Sequence, residues 1–337
     1  MPRSPLARNT ATRASPEQTA AVIVNWNSRE MLRSCLEALT VEREANLPHR
    51  PLEVIVVDNA SDDGSGAMVR QEFPWVRLIK NDVNLGYTRG CNQGIASTQA
   101  EYVLLLNPDC RPAPGAVELL AQHLDCHPAV GAVTGRLLYP DGRFQPYYRR
   151  LPTAWSLALA WLVPRPLALH LSPVRRYLML DDCFDEAREV EQPPGACLML
   201  RRPALGTQPY LDECFPLFFS DVEICQRLYN RGYRIEYVPE AVFIHHKGEA
   251  GTYRQRYVSS AEYFQSMIDY VRLRHGAWPA RAFRGALLLA FMVELLLSAM
   301  MLPICPGAGR AALQGRLVRL RRLLRRDRLF ALQQARP

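Results

Sequence analysis

The sequence predicts an α/β fold with a mostly parallel, layered central sheet, and three observations carry that reading. Short apolar and β-branched runs alternate with segments of helical periodicity between residues 20 and 134. The runs are apolar throughout instead of alternating with polar residues, the pattern of strands covered on both faces by helices. The chain has 337 residues, 48% of them hydrophobic and 22% charged, an ordinary globular composition with ample length for a large core.

Residues 1–18 are polar, rich in Arg, Ser and Thr, and lack an apolar stretch, so they are expected to be a mobile lead-in and not a secretory signal. Ala20–Trp26 is the first expected strand, and Ser28 is placed to cap a helix with Met31, Leu32, Cys35, Leu36 and Leu39 on one face. Glu53–Val57 is the second, followed by a polar turn from Asp58 to Ser65 and a helix ending near Phe73-Pro74. Val76–Ile79 is the third, with a Gly-punctuated loop and a helix running to Thr98. Tyr102–Leu106 is the fourth, before a helix from Pro114 to Leu124, and Val130–Thr134 is the fifth.

In open parallel sheets the ligand sits beyond the carboxyl ends of the strands. Four expected strands end there in polar clusters: Asn25-Trp26-Asn27, Asp58-Asn59, Lys80-Asn81 and Asn107-Pro108-Asp109. Turn chemistry accounts for any one of them; four on one edge make a site. The phosphate motif G-x-x-x-x-G-K-[ST] is missing, the pair Gly307-Ala308-Gly309 follows an apolar helix and not a strand, and no G-x-S-x-G elbow occurs, which sets aside P-loop kinases, dinucleotide dehydrogenases and Ser hydrolases. Asp58 is placed to accept from a base or ribose hydroxyl, and Asp109 to hold Mg²⁺ or Mn²⁺ against a diphosphate, since these ions take few protein oxygens when phosphates supply the rest. Asp221 follows the aromatic run Phe215–Phe219 and opens a helix, so it is either a cap or a carboxylate whose basicity an apolar wall raises. His245-His246, after the run Ala241–Ile244, is a structural pair or a ligand pair. Nine scattered cysteines without C-x-x-C suggest neither a disulfide framework nor a zinc knuckle, and fit a reducing cytoplasm.

Eight segments in order then resemble the inverting family-2 glycosyltransferases of GT-A fold, in particular their bacterial rhamnosyltransferase-like branch of cell-envelope glycan assembly. They are AAVIVNWNS (20–28), VVDNASDDGS (56–65), NLGYTRGCNQGI (84–95), YVLLLNPDC (102–110), DGRFQPYYRRLPT (141–153), PPGACLMLRR (193–202), LDECFPLFFSDVEICQRLYNRGYRI (211–235) and VPEAVFIHHKG (238–248). The resemblance implies a GT-A domain over residues 19–275, with a nucleotide-sugar part (19–135) and an acceptor and catalytic-base part (136–275). It implies that Asp58 recognises the nucleobase, flanked by Asn25 and Asn27, and that Asn84, Gly86, Arg89 and Asn92 pack on the nucleotide, Arg89 touching phosphate or base. Asp109 matches the last carboxylate of the D-x-D metal motif, whose first position is Asn107 here. Gly195 and Ala196 line the donor-sugar and acceptor cleft, Asp221 is the catalytic base with Ser220 where the family usually has an acid, and His245 matches the metal or diphosphate ligand. A metal-dependent transfer from a nucleoside-diphosphate sugar to a saccharide or lipid-linked acceptor follows, rhamnose being the branch's commonest sugar.

The formal charge of +8 is unevenly spread. From Gly276 to Pro337 there are eleven Arg and two acidic residues, which leaves 30 basic and 31 acidic residues before them. A near-neutral body argues against a nucleic-acid surface. Ala286–Cys305 is long enough to span a bilayer, but Glu294, Pro303 and arginines on both flanks favour a segment lying in the cytoplasmic leaflet. Leu313, Leu317, Leu320 and Leu324 form a stripe among Arg316, 319, 321, 322, 325, 326 and 328, expected to meet anionic lipid, with docking on the protein's own body as the alternative. The expected location is the inner face of the plasma membrane, peripheral or monotopic, with 276–337 as a membrane-associating tail. The competing reading is a membrane-bound sugar-nucleotide-binding protein without transfer activity, motivated by Ser220 and Asn107. A polysaccharide synthase lacks its Q-x-x-R-W motif here, and a glycoside hydrolase lacks a clear second carboxylate facing Asp221.

Overall fold

A computed structural model describes residues 19–46, 51–246, 253–300 and 306–325. The lead-in 1–18, Lys247-Gly248, residues 301–305 and Arg326 and Arg328 lie outside the described residues. The strands are β1 (Thr19–Asn25), β2 (Leu52–Asp58), β3 (Arg77–Lys80), β4 (Tyr102–Leu106), β5 (Cys110–Pro112), β6 (Val130–Leu138), β7 (Arg188–Glu189), β8 (Cys197–Arg201) and β9 (Arg234–His245). The helices are α1 (Arg29–Asn46), α2 (Ser65–Glu72), α3 (Tyr87–Ala96), α4 (Ala116–Cys126), α5 (Ala154–Leu162), α6 (Arg165–Ala168), α7 (Ser172–Tyr177), α8 (Arg202–Leu205), α9 (Ser220–Asn230), α10 (Tyr253–His275), α11 (Ala277–Met300) and α12 (Pro306–Arg325).

The strands form one sheet in the order β3-β2-β1-β4-β8-β6-β9-β5, with β7 paired to β9. β3, β2, β1 and β4 are mutually parallel, so Asn25, Asp58 and Lys80 fall in one row at the carboxyl edge. The second half is mixed. β8 runs antiparallel to both β4 and β6, while β6 and β9 are parallel and β5 closes against the end of β9. That reversal was not expected, because a five-residue apolar run such as β8 has no period of its own to mark its direction.

Alternation along β1 and β2 sends Ala21, Ile23, Val54 and Val56 to one core and Ala20, Val22, Val24, Ile55 and Val57 to the other. α3 lies directly on β1: a Cβ built at Gly94 would stand 2.3 Å from Val22 Cγ1. Only a residue without a side chain lets the helix approach that closely, and the approach sets where its N-terminus meets the site. Ser28 sits at the start of α1, but its hydroxyl donates to Trp26 O (3.3 Å), and Asp63 from the β2–α2 loop accepts from Arg29 N–H (2.8 Å).

A third apolar cluster changes the picture of the C-terminal part. Phe264, Met267, Ile268 and Val271 of α10, Phe283, Leu287 and Phe291 of α11, and Leu320 and Leu323 of α12 pack with Leu157, Tyr177, Phe215, Phe219 and Val222. The expected Leu stripe is therefore corrected. Leu320 and Leu323 face the protein and Leu324 is exposed, so α12 docks on the body, the alternative above. Docking wins because it satisfies a charge as well as apolar area: Arg316 (2.9 Å) and Arg319 both pair with Glu294, and the Arg319 guanidinium lies 4.0 Å from the centroid of Phe291. Among the described residues no helix is long and apolar enough to cross a membrane. On α11 the outward positions Leu289, Met292, Val293 and Leu296 are exposed, spaced i, i+3, i+4 and i+7.

Candidate active site

At the β1–β2 end, Ser61 is the hub. Its hydroxyl accepts from Asn25 Nδ2 (3.1 Å) and Asn27 N–H (3.0 Å), its own N–H donates to Asp58 Oδ1 (3.3 Å), and Asn27 Oδ1 accepts from Asp62 N–H (2.9 Å). Asn25 and Asp58 are almost fully buried, and Asn25 Oδ1 and Asp58 Oδ2 have no hydrogen-bond partner. Asp58 Oδ2 lies under the first turn of α2, 2.8 Å from where a Cβ of Gly66 would be. The carboxylate expected to read the base thus holds the 59–65 loop in this structure. Asn59 carries the network onward: its Nδ2 donates to Gly86 O (3.0 Å), and its Oδ1 accepts from Asn81 Nδ2 (2.9 Å) and Leu85 N–H (3.3 Å). Asn84 Oδ1 accepts from Gly86 N–H (2.9 Å), which fixes the turn into α3.

Arg89 and Asn92, expected on the nucleotide, are turned toward the segment before α9. Arg89 Nε pairs with Glu213 (2.8 Å), and Asn92 holds the Leu211 backbone from both sides (2.9 and 2.8 Å). Their spacing of three on α3 puts them on the face that meets residues 211–213, away from the Asn59 network. They brace the loop that carries Phe215–Phe219.

The second group gathers around β4, β8, β9 and α9. Asn107 N–H donates to Ala196 O (3.0 Å), which ties the turn after β4 to the start of β8. Cys110 is the register partner of His245. His245 Nε2 consequently stands 3.5 Å from Asp109 Oδ1. Gln145, fully buried, decides the tautomer. Its Nε2 donates to two carbonyls, His245 O (2.7 Å) and Leu138 O (3.2 Å), so its Oε1 must accept from His245 Nδ1–H (2.9 Å). In neutral His245 the Nε2 lone pair then points toward the Asp109 carboxylate, two electron-pair donors converging with no proton between them. That donor set fits a divalent cation, with a buried amide orienting the imidazole behind it. Two protein ligands suffice for Mg²⁺ or Mn²⁺ when phosphate oxygens complete the shell. Among the described residues the one group of three metal-ligating side chains in common reach is elsewhere: His123, His127 and Glu236, toward the other end of β9, where His123 Nε2 and Glu236 share a 2.6 Å hydrogen bond.

Asp221 lies in the first turn of α9, which starts from Phe219 in the left-handed region at φ 71°. A strained start of this kind persists because the Phe219 ring is locked among Tyr263 and Tyr270, at 5.4 and 5.6 Å. Gly195 faces Asp221 so closely that a Cβ there would be 3.3 Å from its carboxylate. Burial pushes the Asp221 carboxyl above the ordinary range, against backbone N–H groups of α9 and Gly195 that favour its charged form. Tyr87 joins the two groups. Its hydroxyl donates to Gly195 O (3.4 Å), and its acidity is pushed down by burial first, then by Cys91 and by the charges of Asp221 and Asp109. Sequence reasoning missed Ser61, Tyr87 and Gln145. Gln145 and Tyr87 sit inside two of the motifs above, but nothing in their spacing marks them.

Residues 20–185 match the family described as Glycosyl transferase family 2. The chain carries a domain of glycosyltransferase family 2 over these residues. It is 29% identical over 287 residues to the N-acetylglucosaminyl-diphospho-decaprenol L-rhamnosyltransferase of Mycobacterium tuberculosis, covering 80% of this chain and 90% of that protein. It is 26% identical over 260 residues to the O-antigen biosynthesis protein RfbC of Myxococcus xanthus, 74% of this chain and 19% of that one. Among solved structures, a mannosyltransferase from Pyrobaculum calidifontis in complex with GDP-Man and Mn²⁺ superposes with TM-score 0.53 at 15% identity, covering 94% of this chain and 91% of that chain. Glucosyl-3-phosphoglycerate synthase from Mycobacterium tuberculosis, with Mn²⁺ and UDP, gives 0.50 at 16%, covering 75% and 79%. The GT-A fold and a hexosyltransferase activity follow for this family-2 enzyme.

Proposed function

We propose that this family-2 glycosyltransferase moves a sugar from a nucleoside diphosphate to a hydroxyl of a lipid-linked saccharide, with inversion at the anomeric carbon. The observation that carries the proposal is that Asp221, which lies against Gly195, and Asp109, which lies 3.5 Å from His245, both act by their charge on the buried Tyr87 hydroxyl, itself bonded to Gly195 O. Rhamnose as the sugar and a diphospholipid-linked N-acetylglucosamine as the acceptor rest on the 29% identical relative.

In this reading the nucleotide lies over the carboxyl edge of β1, β2 and β4, against Asn25, Asn27, Asp58, Asn84, Gly86 and Asn107. The unsatisfied oxygens of Asn25 and Asp58 fit a hydrogen-bond donor such as a base N–H, reached when the Ser61 loop shifts. Gly195 and Ala196 leave room for the sugar beside Asp221. As the acceptor oxygen attacks the anomeric carbon, the bond to the diphosphate oxygen breaks and the hydroxyl proton passes to an Asp221 carboxylate oxygen. A raised carboxyl pKa makes that proton transfer more favourable. Mg²⁺ or Mn²⁺ held by Asp109 and His245 would neutralise charge on the departing nucleoside diphosphate.

Association with an anionic membrane on the cytoplasmic side belongs to the same reading, but through α11 and not the Leu stripe of α12. The exposed face Leu289, Met292, Val293 and Leu296 is the apolar surface, and Arg281 of α11 with Arg321 and Arg325 of α12 are exposed cations of the same helices. The deciding experiment offers a panel of nucleotide sugars with a lipid-diphosphate saccharide and identifies the product's anomeric configuration by NMR. Asp221→Asn is expected to keep nucleotide affinity and lose roughly 10²–10⁴-fold in kcat; turnover at the wild-type rate removes Asp221 as the base. Nucleotide-sugar binding with no transfer to any acceptor and no donor hydrolysis would favour the binding-protein reading.

A further inference from the structure

Arginines in this part of the molecule are almost all matched to acids. Arg150 pairs with Glu191 (3.1 Å), Arg188 with Asp182, Arg175 with Asp181, and Arg136 with Asp185 (3.1 Å). Arg149 is different. Its Nη1 donates to the carbonyls of Pro146 and Tyr148, 2.9 Å each, and its guanidinium lies 5.8 Å from the ring centroid of Tyr147. Among the described residues no carboxylate pairs with it.

Its place is fixed by backbone. Arg149 and Gln192 form an antiparallel bridge with two 2.9 Å hydrogen bonds, which pairs Arg149 with the residue three positions before Gly195, the residue in contact with Asp221. Tyr177 and Tyr263 stand near both groups: the positive charge of Arg149 and the negative charge of Asp221 act on both phenols, after burial as the largest influence. Burial likewise disfavours the charged Arg149, whose pKa is lowered, yet a guanidinium stays protonated in any protein. A half-buried cation met only by two carbonyls and the Tyr147 ring gains from an anion that joins it. A planar fork of N–H donors matches phosphate oxygens in particular.

We propose that Arg149 is an anion anchor of the transfer site, binding a diphosphate group beside Asp221. The inference rests on the glycosyltransferase reading for the identity of its ligand. Two sources carry that chemistry, the nucleoside diphosphate of the donor and the diphosphate of a lipid-linked acceptor.

Binding to the purified full chain separates them. One arm titrates nucleoside diphosphates against the matching monophosphates by calorimetry. The other compares a prenyl-diphosphate N-acetylglucosamine with a neutral alkyl N-acetylglucosaminide in detergent. Arg149→Gln is expected to weaken a diphosphate ligand by roughly 10–100-fold, the range for a hydrogen bond to a charged group, and to leave its diphosphate-free counterpart unchanged. Loss in the first arm assigns the donor, loss in the second the acceptor. Arg149→Lys keeps the charge without the fork and is expected to fall between; it also serves if the Gln variant melts early. Both variants binding every diphosphate ligand as the wild type does, or a wild type that prefers no diphosphate ligand, overturns the proposal. A chain that transfers no sugar but binds diphosphate through Arg149 would retain this inference while removing the transferase mechanism, and active transfer with Arg149-independent binding would do the reverse.

Discussion

At the scale of single residues, two side chains are set by their surroundings: Asp221 by burial and His245 by a buried amide. Because burial raises the Asp221 carboxyl, the charged form that the proposed base would use works against folding. The sign follows from linkage. The folded state holds the proton more tightly than the unfolded chain, so the favourable contribution is complete below the ordinary carboxylate range and is lost as pH rises through the folded-state value. Asp221→Asn should therefore raise Tm at neutral pH and not below about pH 3, well under the free carboxylate value, as thermal melts across pH would record. The acid limb of the rate profile should likewise lie above the ordinary carboxylate range. Gln145 acts on His245 in a different way, by fixing which nitrogen carries the proton. Gln145→Met is expected to weaken Mn²⁺ affinity by roughly 10–100-fold, the usual cost of losing an orienting partner, and calorimetry on the metal alone would show it. Unchanged affinity would separate Gln145 from the ion.

Elements position these residues by close approach. α3 meets β1 at Gly90 and Gly94, where built Cβ atoms would fall 2.8 and 2.3 Å from Val24 and Val22 side chains. Gly94→Ala should cost about 1–3 kcal/mol through overpacking and displace Tyr87, lowering kcat as well as Tm. A variant with normal Tm and kcat would show that the helix has room to spare. α9 is set by the opposite device, a strained first residue held by aromatic packing. The helix periodicity around Asp221 was legible because Val222, Cys225 and Leu228 recur at a spacing of three. The left-handed Phe219 before it was not, since no local signal favours a bulky aromatic in that conformation.

For the whole molecule, the C-terminal helices are part of the catalytic body. Phe219 and Val222, which flank Asp221, share one apolar cluster with α10, α11 and α12. A chain ending at Gly276 would bare Phe264, Met267, Ile268 and Val271, and is expected to lose its cooperative thermal transition. Leu323→Ala, which opens a cavity in the same cluster, should cost about 2–5 kcal/mol. The membrane role is better tested on the full chain, since its outward face is separable from that cluster. Replacing Leu289, Val293 and Leu296 by Glu is expected to abolish flotation with anionic vesicles while leaving Tm near the wild-type value. Flotation equal to the wild type would remove the α11 face from that role.

Read alone, the sequence determined the parallel half of the sheet, the row of polar strand ends, the family motifs and the uneven charge. Each of these is written in local order: runs of β-branched residues, turn residues after them, and arginines counted along the chain. Tertiary structure decided the rest, because the deciding partners are distant in sequence. Gln145 lies 100 residues from His245, and Arg319 lies 25 from Glu294. Arg89, expected on phosphate or base, has its Nε paired in this structure with Glu213, 124 residues away. The Leu stripe of α12 is equally amphipathic beside lipid or beside protein, and the buried Leu320 and Leu323 with the Glu294 ion pairs settled which surface it meets. Periodicity states that a face is apolar; only packing states what covers it.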